Sequence, residues 1–157
     1  MDAYFSGPYQ VSKAIDTKEN LGNKITIYTF INDIFGNFPI VSKLTDYEDM
    51  TPYLYNLEYY KVGWVHDKIC PLIGQGYIYF GVLLSPILSI IAVWSSLKFS
   101  DKTKKAKNEI EKYIYEYMAI LLGIYMCLNM NILFQNIWIK ILPLYLIYRI
   151  NIKIKKE

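Results

Sequence analysis

The sequence predicts an all-α membrane protein: about three transmembrane helices, preceded by an outward-facing, partly helical loop region. Three observations carry this reading. Residues 69–97 form a run of 29 without a formal charge and residues 117–139 a second run of 23, whereas about 20 apolar residues are enough to cross the hydrocarbon core of a bilayer. The lysines gather in the short segments that flank these runs. Hydrophobic residues make up 54% of the chain but are unevenly spread: residues 1–68 carry nine acidic side chains and six lysines, net −3, and the apolar excess begins at Ile69. In lipid every backbone N–H and C=O must be satisfied within the chain, so spans of this kind are helices.

The chain divides at residue 68 into an extracytoplasmic loop region, 1–68, and a transmembrane helical region, 69–157, with spans near 77–97, 113–130 and 136–150. The opening MDAYFSGPYQ offers neither the basic leader nor the apolar stretch of a secretory signal. Within 22–35, Ile27, Tyr28, Ile31, Ile34 and Phe35 recur at helical spacing, which predicts an amphipathic helix ended by Gly36 and Pro39. Such a helix suits the outer membrane surface or the flank of other spans. Further on, Tyr47, Tyr53, Tyr55, Tyr59, Tyr60 and Trp64 crowd into eighteen residues.

The first span reads YIYFGVLLSPILSIIAVWSSL, with Tyr77 and Tyr79 at one end and Trp94 near the other, as aromatic residues mark both membrane interfaces. Pro86 removes one helix hydrogen bond and predicts a kink near Leu83, with Ser85 placed to re-satisfy the backbone. The connector 98–112 holds six lysines against three acids. Short lysine-rich loops stay on the cytoplasmic side, so the first span runs outside to inside and residues 1–68 lie outside. The second span carries Glu116 in its first turns, and Asn129, Asn131, Gln135 and Asn136 suit an outer turn. The remaining apolar segment is short and contains Lys140 and Pro143. Arg149, Lys153, Lys155 and Lys156 in the tail favour the cytoplasm, which a third span secures, with Lys140 snorkelling to the outer interface. An interfacial helix is the alternative. The topology expected is therefore multi-pass, with the N-terminal region outside and the C-terminus cytoplasmic. Export of a polar 68-residue segment without a signal is most simply explained if the chain corresponds to the C-terminal part of a longer multispanning protein.

Soluble-enzyme signatures are missing. There is no phosphate-binding GxxxxGK[ST], no paired-histidine motif and no cysteine pair at zinc-ligand spacing, so no metal and no cofactor are expected. Cys70 and Cys127 lie in or beside apolar runs and read as small hydrophobes. Membrane topology explains the net charge of +3, so no nucleic-acid partner is expected. The one histidine, His66, stands in WVHDKICP beside Asp67 and Lys68. It fits first a polar residue anchoring the loop at the interface, and second a general base for a hydroxyl nucleophile. In GQGYIYFG, Gly74, Gly76 and Gly81 permit close helix approach, while Gln75 offers an amide to an external substrate. The tyrosine cluster reads as interface residues, as plain burial, or as rings that stack on the C–H faces of sugars. Glu116 and Lys140 are the sole ionisable candidates for a transport pathway.

Two stretches, YFSGP at 4–8 and HDKICPLIGQGYIYFG at 66–81 leading into a span, resemble the C-terminal part of bacterial oligosaccharide repeat unit polymerases of the O-antigen and capsule type. The resemblance implies a bacterial plasma-membrane glycosyltransferase that joins repeat units carried on undecaprenyl pyrophosphate, at the outer face, without nucleotide sugar or metal. Such a site needs a base for the acceptor and cations for the departing pyrophosphate. His66 and Asp67 are then the catalytic candidates, with Gln75, Tyr77, Tyr59, Tyr60, Trp64 and Lys68 contacting the lipid-linked oligosaccharide. One departure matters: the family presents outward arginines, and the single arginine here, Arg149, is expected on the cytoplasmic side. The chain alone is thus expected to lack a complete active site and to work with the missing N-terminal spans or another membrane protein. The alternative is a non-catalytic small membrane protein that binds or scaffolds a polysaccharide-assembly complex.

Overall fold

A computed structural model describes residues 7–125 and 128–154. Tyr4 to Ser6 of the YFSGP stretch, Cys127, Lys155 and Lys156 lie outside the described residues. All regular elements among the described residues are helical: α1 (Gly7–Leu21), α2 (Ile27–Phe35), α3 (Thr51–Tyr60), α4 (Leu72–Phe80), α5 (Ile87–Thr103), α6 (Glu109–Ile124), α7 (Met130–Asn136) and α8 (Leu142–Ile154), with short 3₁₀ turns between. A π-helical turn, Ile137–Ile141, joins α7 to α8.

Local chemistry sets the boundaries. Thr26 caps α2 with a reciprocal pair of bonds to Thr29, and Asn108 and Asn129 accept the Glu111 and Ile132 amides at the starts of α6 and α7, each satisfying N–H groups that a helix end leaves open. α3 carries Pro52 in its first turn, where a missing N–H costs nothing. Asn129, expected in a turn, is therefore a helix cap.

Helices α1, α3 and α4 enclose one core of Ala14, Tyr55, Cys70 and Ile78. Helices α6, α7 and α8 enclose another of Ile114, Met118, Leu122, Tyr125, Leu133, Ile141 and Tyr148. Between them Leu72, Ala92 and Met130 pack with Phe30 and Ile34 of α2. α5 and α6 form an antiparallel hairpin, pinned where the Ser96 hydroxyl donates to the Ala119 carbonyl at 2.7 Å.

The expected spans are drawn differently. Residues 77–97 are not one kinked helix: α4 ends at Phe80, Gly81 adopts φ +77°, and helix resumes at Ile87. Pro86 stands at the N-cap of α5 and so interrupts no ladder. The break is stabilised by close approach, because a Cβ on Gly76 would collide with the Ser85 carbonyl oxygen. In the region 113–130, α6 stops at Ile124. Conversely, the segment around 136–150 belongs to the longest helical run. Met130–Ile152 is 23 residues and, among the described residues, is the one helix long and apolar enough to cross a membrane. Its π-helical turn lies just before Pro143, loosening the ladder where the proline ring would meet the Ile139 carbonyl.

Parts of the surface are broadly apolar. Gln75, Asp33, Asn32, Asn56, Thr51 and Glu58 are buried, while Leu83 is 91% exposed and Val82, Ile90, Trp94, Leu97, Ile120, Leu146, Ile147 and Ile150 also face outward. The single buried residue of α5 is Ala92. Buried polar groups together with broad exposed apolar faces mark contact with a membrane or with other protein.

Candidate functional site

The segment 61–71 runs back over α3, held by Asn56. Its amide donates to the Lys68 carbonyl and its carbonyl accepts the Lys68 amide, both at 2.9 Å. This clamp assembles an aromatic, charged patch. Tyr60 donates its hydroxyl to Asp67 at 2.5 Å. Lys68 Nζ lies 3.9 Å from the other Asp67 oxygen and 5.8 Å from the Tyr59 ring centre. Tyr59 and Tyr60 touch, with ring centres 4.8 Å apart. His66 is exposed, its ring 5.3 Å from both Tyr47 and Tyr53, and its nitrogens take no hydrogen bond among the described residues. Trp64, 80% exposed, projects from the same segment.

The structure thus brings Asp67, Lys68, Tyr59 and Tyr60 together, with His66 against Tyr53 of the same helix α3. This patch can accept hydroxyl protons, offer one ammonium and present ring faces. Gln75 is not on it. Its side chain is fully buried and both ends are used: Nε2 donates to Asp33 Oδ2 at 2.9 Å and Oε1 accepts the Met130 amide at 2.6 Å. Tyr77 is half-buried on α4.

Gln75 belongs to a buried cluster around Asp33 on α2. Asp33 Oδ1 accepts the Thr51 amide at 3.0 Å, and Oδ2 accepts from both Gln75 and the Tyr79 hydroxyl, which also meets the Thr51 hydroxyl at 2.5 Å. One carboxylate therefore ties α2 to the start of α3 and to α4, and through Gln75 to the first residue of the long helix. No cation pairs with Asp33 among the described residues. Burial raises its pKa from 3.8 to about 6, against the opposing hydrogen bonds from Tyr79, Thr51 and Gln75, because a low-dielectric site disfavours the charged form.

Asp33, Thr51 and Tyr79 were not legible as a cluster from sequence. The available signal was the stripe Thr29, Asn32 and Asp33 at i, i+3 and i+4, a polar face on a helix whose other residues are apolar.

Among the described residues, fold and surface define an all-helical structure with one helix long and apolar enough to cross a membrane, an inward polar junction and an aromatic, charged patch at residues 59–68. Comparison with family models, with curated proteins and with solved structures returns no match.

Proposed function

We propose that the chain is a multi-pass membrane protein of cell-surface polysaccharide assembly, and that it forms one part of a polymerase joining lipid-linked oligosaccharide repeat units. The observation that carries this reading is the HDKICPLIGQGYIYFG segment: it supplies the Asp67–Lys68 half of the aromatic patch and then runs directly into the glycine-rich helix α4 and the apolar α5–α6 hairpin. In the proposed site Tyr59, Tyr60 and Trp64 present ring faces to a pyranose. Asp67 and Lys68 bind sugar hydroxyls, and His66 takes the acceptor proton as general base.

The proposed topology has three crossings, made by the broken α4–α5 segment, by α6 and by the long helix. The bundle supports it through its two ends. Asn108 donates to the Tyr148 hydroxyl at 2.9 Å, so Arg149 stands at the same end as the lysine connector, suited to the cytoplasm. At the opposite end, Asn37 donates to Asn131 at 2.8 Å and joins the N-terminal lobe to the start of the long helix, suited to the outer face. Because the arginine is remote from the patch, a second membrane protein supplies the cations that a departing pyrophosphate needs.

The test is a glycan ladder from cells of the native host. Deleting the gene should abolish long chains, and His66→Ala, at an exposed position, should shorten them while the protein level holds. An unchanged ladder after deletion would retire the function. A second reading, a non-catalytic scaffold of the same assembly, is favoured by the saturated hydrogen bonding of Gln75 and by the single ammonium in the patch. Under it, deletion shortens the glycan but His66→Ala does not.

A further inference from the structure

We propose that α2 lies within the outer leaflet of the membrane, with Ile27, Ile31 and Phe35 against lipid acyl chains, rather than in the aqueous loop region. This rests on the reading that Met130–Ile152 crosses the bilayer, and it revises where the chain meets water.

The first argument is depth. α2 is docked on the flank of the long helix. Trp138 Nε1 donates to the Ile34 carbonyl at 2.7 Å, the Trp138 ring stacks on Phe35 at 5.7 Å and meets Phe38 at 5.3 Å, and Phe134 packs against the same Leu72, Ala92 and Met130 cluster as Ile34 and Phe30. Phe134 and Trp138 lie four and eight residues beyond Met130, roughly 6–12 Å along a helix axis. Lys140, exposed ten residues beyond Met130, snorkels to the outer headgroups, which sets the outer boundary near Phe134; Trp138 and the α2 residues it touches, Ile34 and Phe35, then lie roughly 6 Å inside the outer leaflet.

The second argument is orientation. Thr29, Asn32 and Asp33 are buried, whereas Ile27 is 74% exposed and Tyr28, Ile31 and Phe35 also face outward. This arrangement is inverted for a helix in water and natural for one in lipid. The sole ionisable carboxylate of α2, Asp33, points inward to donors from α3 and α4. Lys24 and Lys43, exposed on either flank, have stems long enough to reach the headgroups.

The third argument is backbone saturation, which lipid demands. Thr26 caps the N-terminus, the Gly36 amide bonds the Asn32 carbonyl at 2.7 Å, and Trp138 takes the Ile34 carbonyl, one of those a helix end leaves open. The neighbouring surface has the same character. Phe30 meets Phe80 at 6.0 Å, and directly after Phe80 come the exposed Val82, Leu83 and Leu84, with the Ser85 hydroxyl closing the turn on the Val82 carbonyl at 2.9 Å.

The experiment places single nitroxide labels at Ile31→Cys, Glu48→Cys and Ile147→Cys in the full chain with Cys70 and Cys127 replaced by alanine, reconstituted into phosphatidylcholine vesicles. Collision with oxygen is compared with collision with a water-soluble nickel chelate. The expected result is an oxygen-to-nickel ratio at Ile31 that matches Ile147 and exceeds Glu48 several-fold. If Ile31 matches Glu48 while Ile147 remains lipid-exposed, α2 lies in water and this proposal fails alone. If Ile147 is also open to nickel, the membrane-crossing reading fails with it. Shielding of Ile31 from both reagents means that protein covers the face, and overturns lipid as its partner.

Discussion

Replacing Asp33 with asparagine removes the titration but keeps the shape of the side chain, so the pair isolates what a buried, unpaired carboxylate does to stability. The folded protein holds the Asp33 proton up to about pH 6, against 3.8 for the ordinary group. A folded-state pKa raised in this way means that the folded state binds more protons than the unfolded state between those values. Stability from this group is therefore complete below about pH 4 and is lost as pH rises through 6. At about 1.4 kcal/mol per tenfold change in proton affinity, the two pKa values differ by an amount worth about 3 kcal/mol, and most of it disappears between pH 4 and pH 7. Other acids titrate across this range, so the quantity to follow is the difference between wild type and Asp33→Asn. Tyr79, Thr51 and Gln75 hydrogen-bond Asp33, and the other groups facing it, Tyr47 and Cys70, have pKa values that burial raises still further above that window. Denaturant unfolding in detergent micelles, followed by tryptophan fluorescence at pH 4, 5, 6 and 7, should show wild type losing about 2–3 kcal/mol relative to Asp33→Asn. Parallel pH profiles for the two proteins would refute the burial of an unpaired carboxylate, and so the inward face of α2.

Other perturbations test the packing around this junction. Gln75→Leu leaves the Met130 amide unpaired and takes one donor from Asp33; it should cost about 2–4 kcal/mol and speed hydrogen exchange at Met130 above exchange at Leu54 in α3. Gly76→Ala meets the Ser85 carbonyl and should lose about 3 kcal/mol in the same unfolding assay, more than Gly81→Ala, where φ is +77° but the space is open and about 1–2 kcal/mol is expected. Trp138→Phe keeps the ring packing but strands the Ile34 carbonyl, for a loss of about 1–2 kcal/mol, whereas Trp64→Phe on the exposed segment should be neutral within about 0.5 kcal/mol.

The helical class was legible because charge-free runs of 29 and 23 residues leave a chain few alternatives in lipid. The period of α2 was equally legible from Ile27, Ile31, Ile34 and Phe35. The membrane surface or other spans were also legible as partners for its apolar face, but burial of its polar face, Thr29, Asn32 and Asp33, was not, since periodicity shows that two faces differ and not what packs on each. Pro86 misled: the missing N–H foretold a disturbed helix, but Gly81 and the approach of Ser85 to Gly76 turned the kink into a break, with the proline moved to a cap where it does no harm. The full length of Met130–Ile152 is hidden in the sequence because Lys140 and Pro143 interrupt its hydropathy, although a π-helical turn precedes the proline and Lys140 is exposed, free to snorkel. The Asp33 cluster was hidden because its partners Thr51, Gln75 and Tyr79 lie 18, 42 and 46 residues away, beyond any local pattern. Of the candidate site, the neighbours Asp67 and Lys68 and the pair Tyr59 and Tyr60 could be named from sequence. What joins them is Asn56, a residue without a motif.

The proposed function and the placement of α2 both require the outward apolar faces of α2, α5 and α8 to be solvated by hydrocarbon. Extraction of isolated cell membranes with alkaline carbonate tests this most directly: the intact chain should stay wholly in the pellet and leave it only with detergent. Recovery of folded chain in the carbonate supernatant would show that those faces are covered by protein or open to water, and would contradict the membrane assignment.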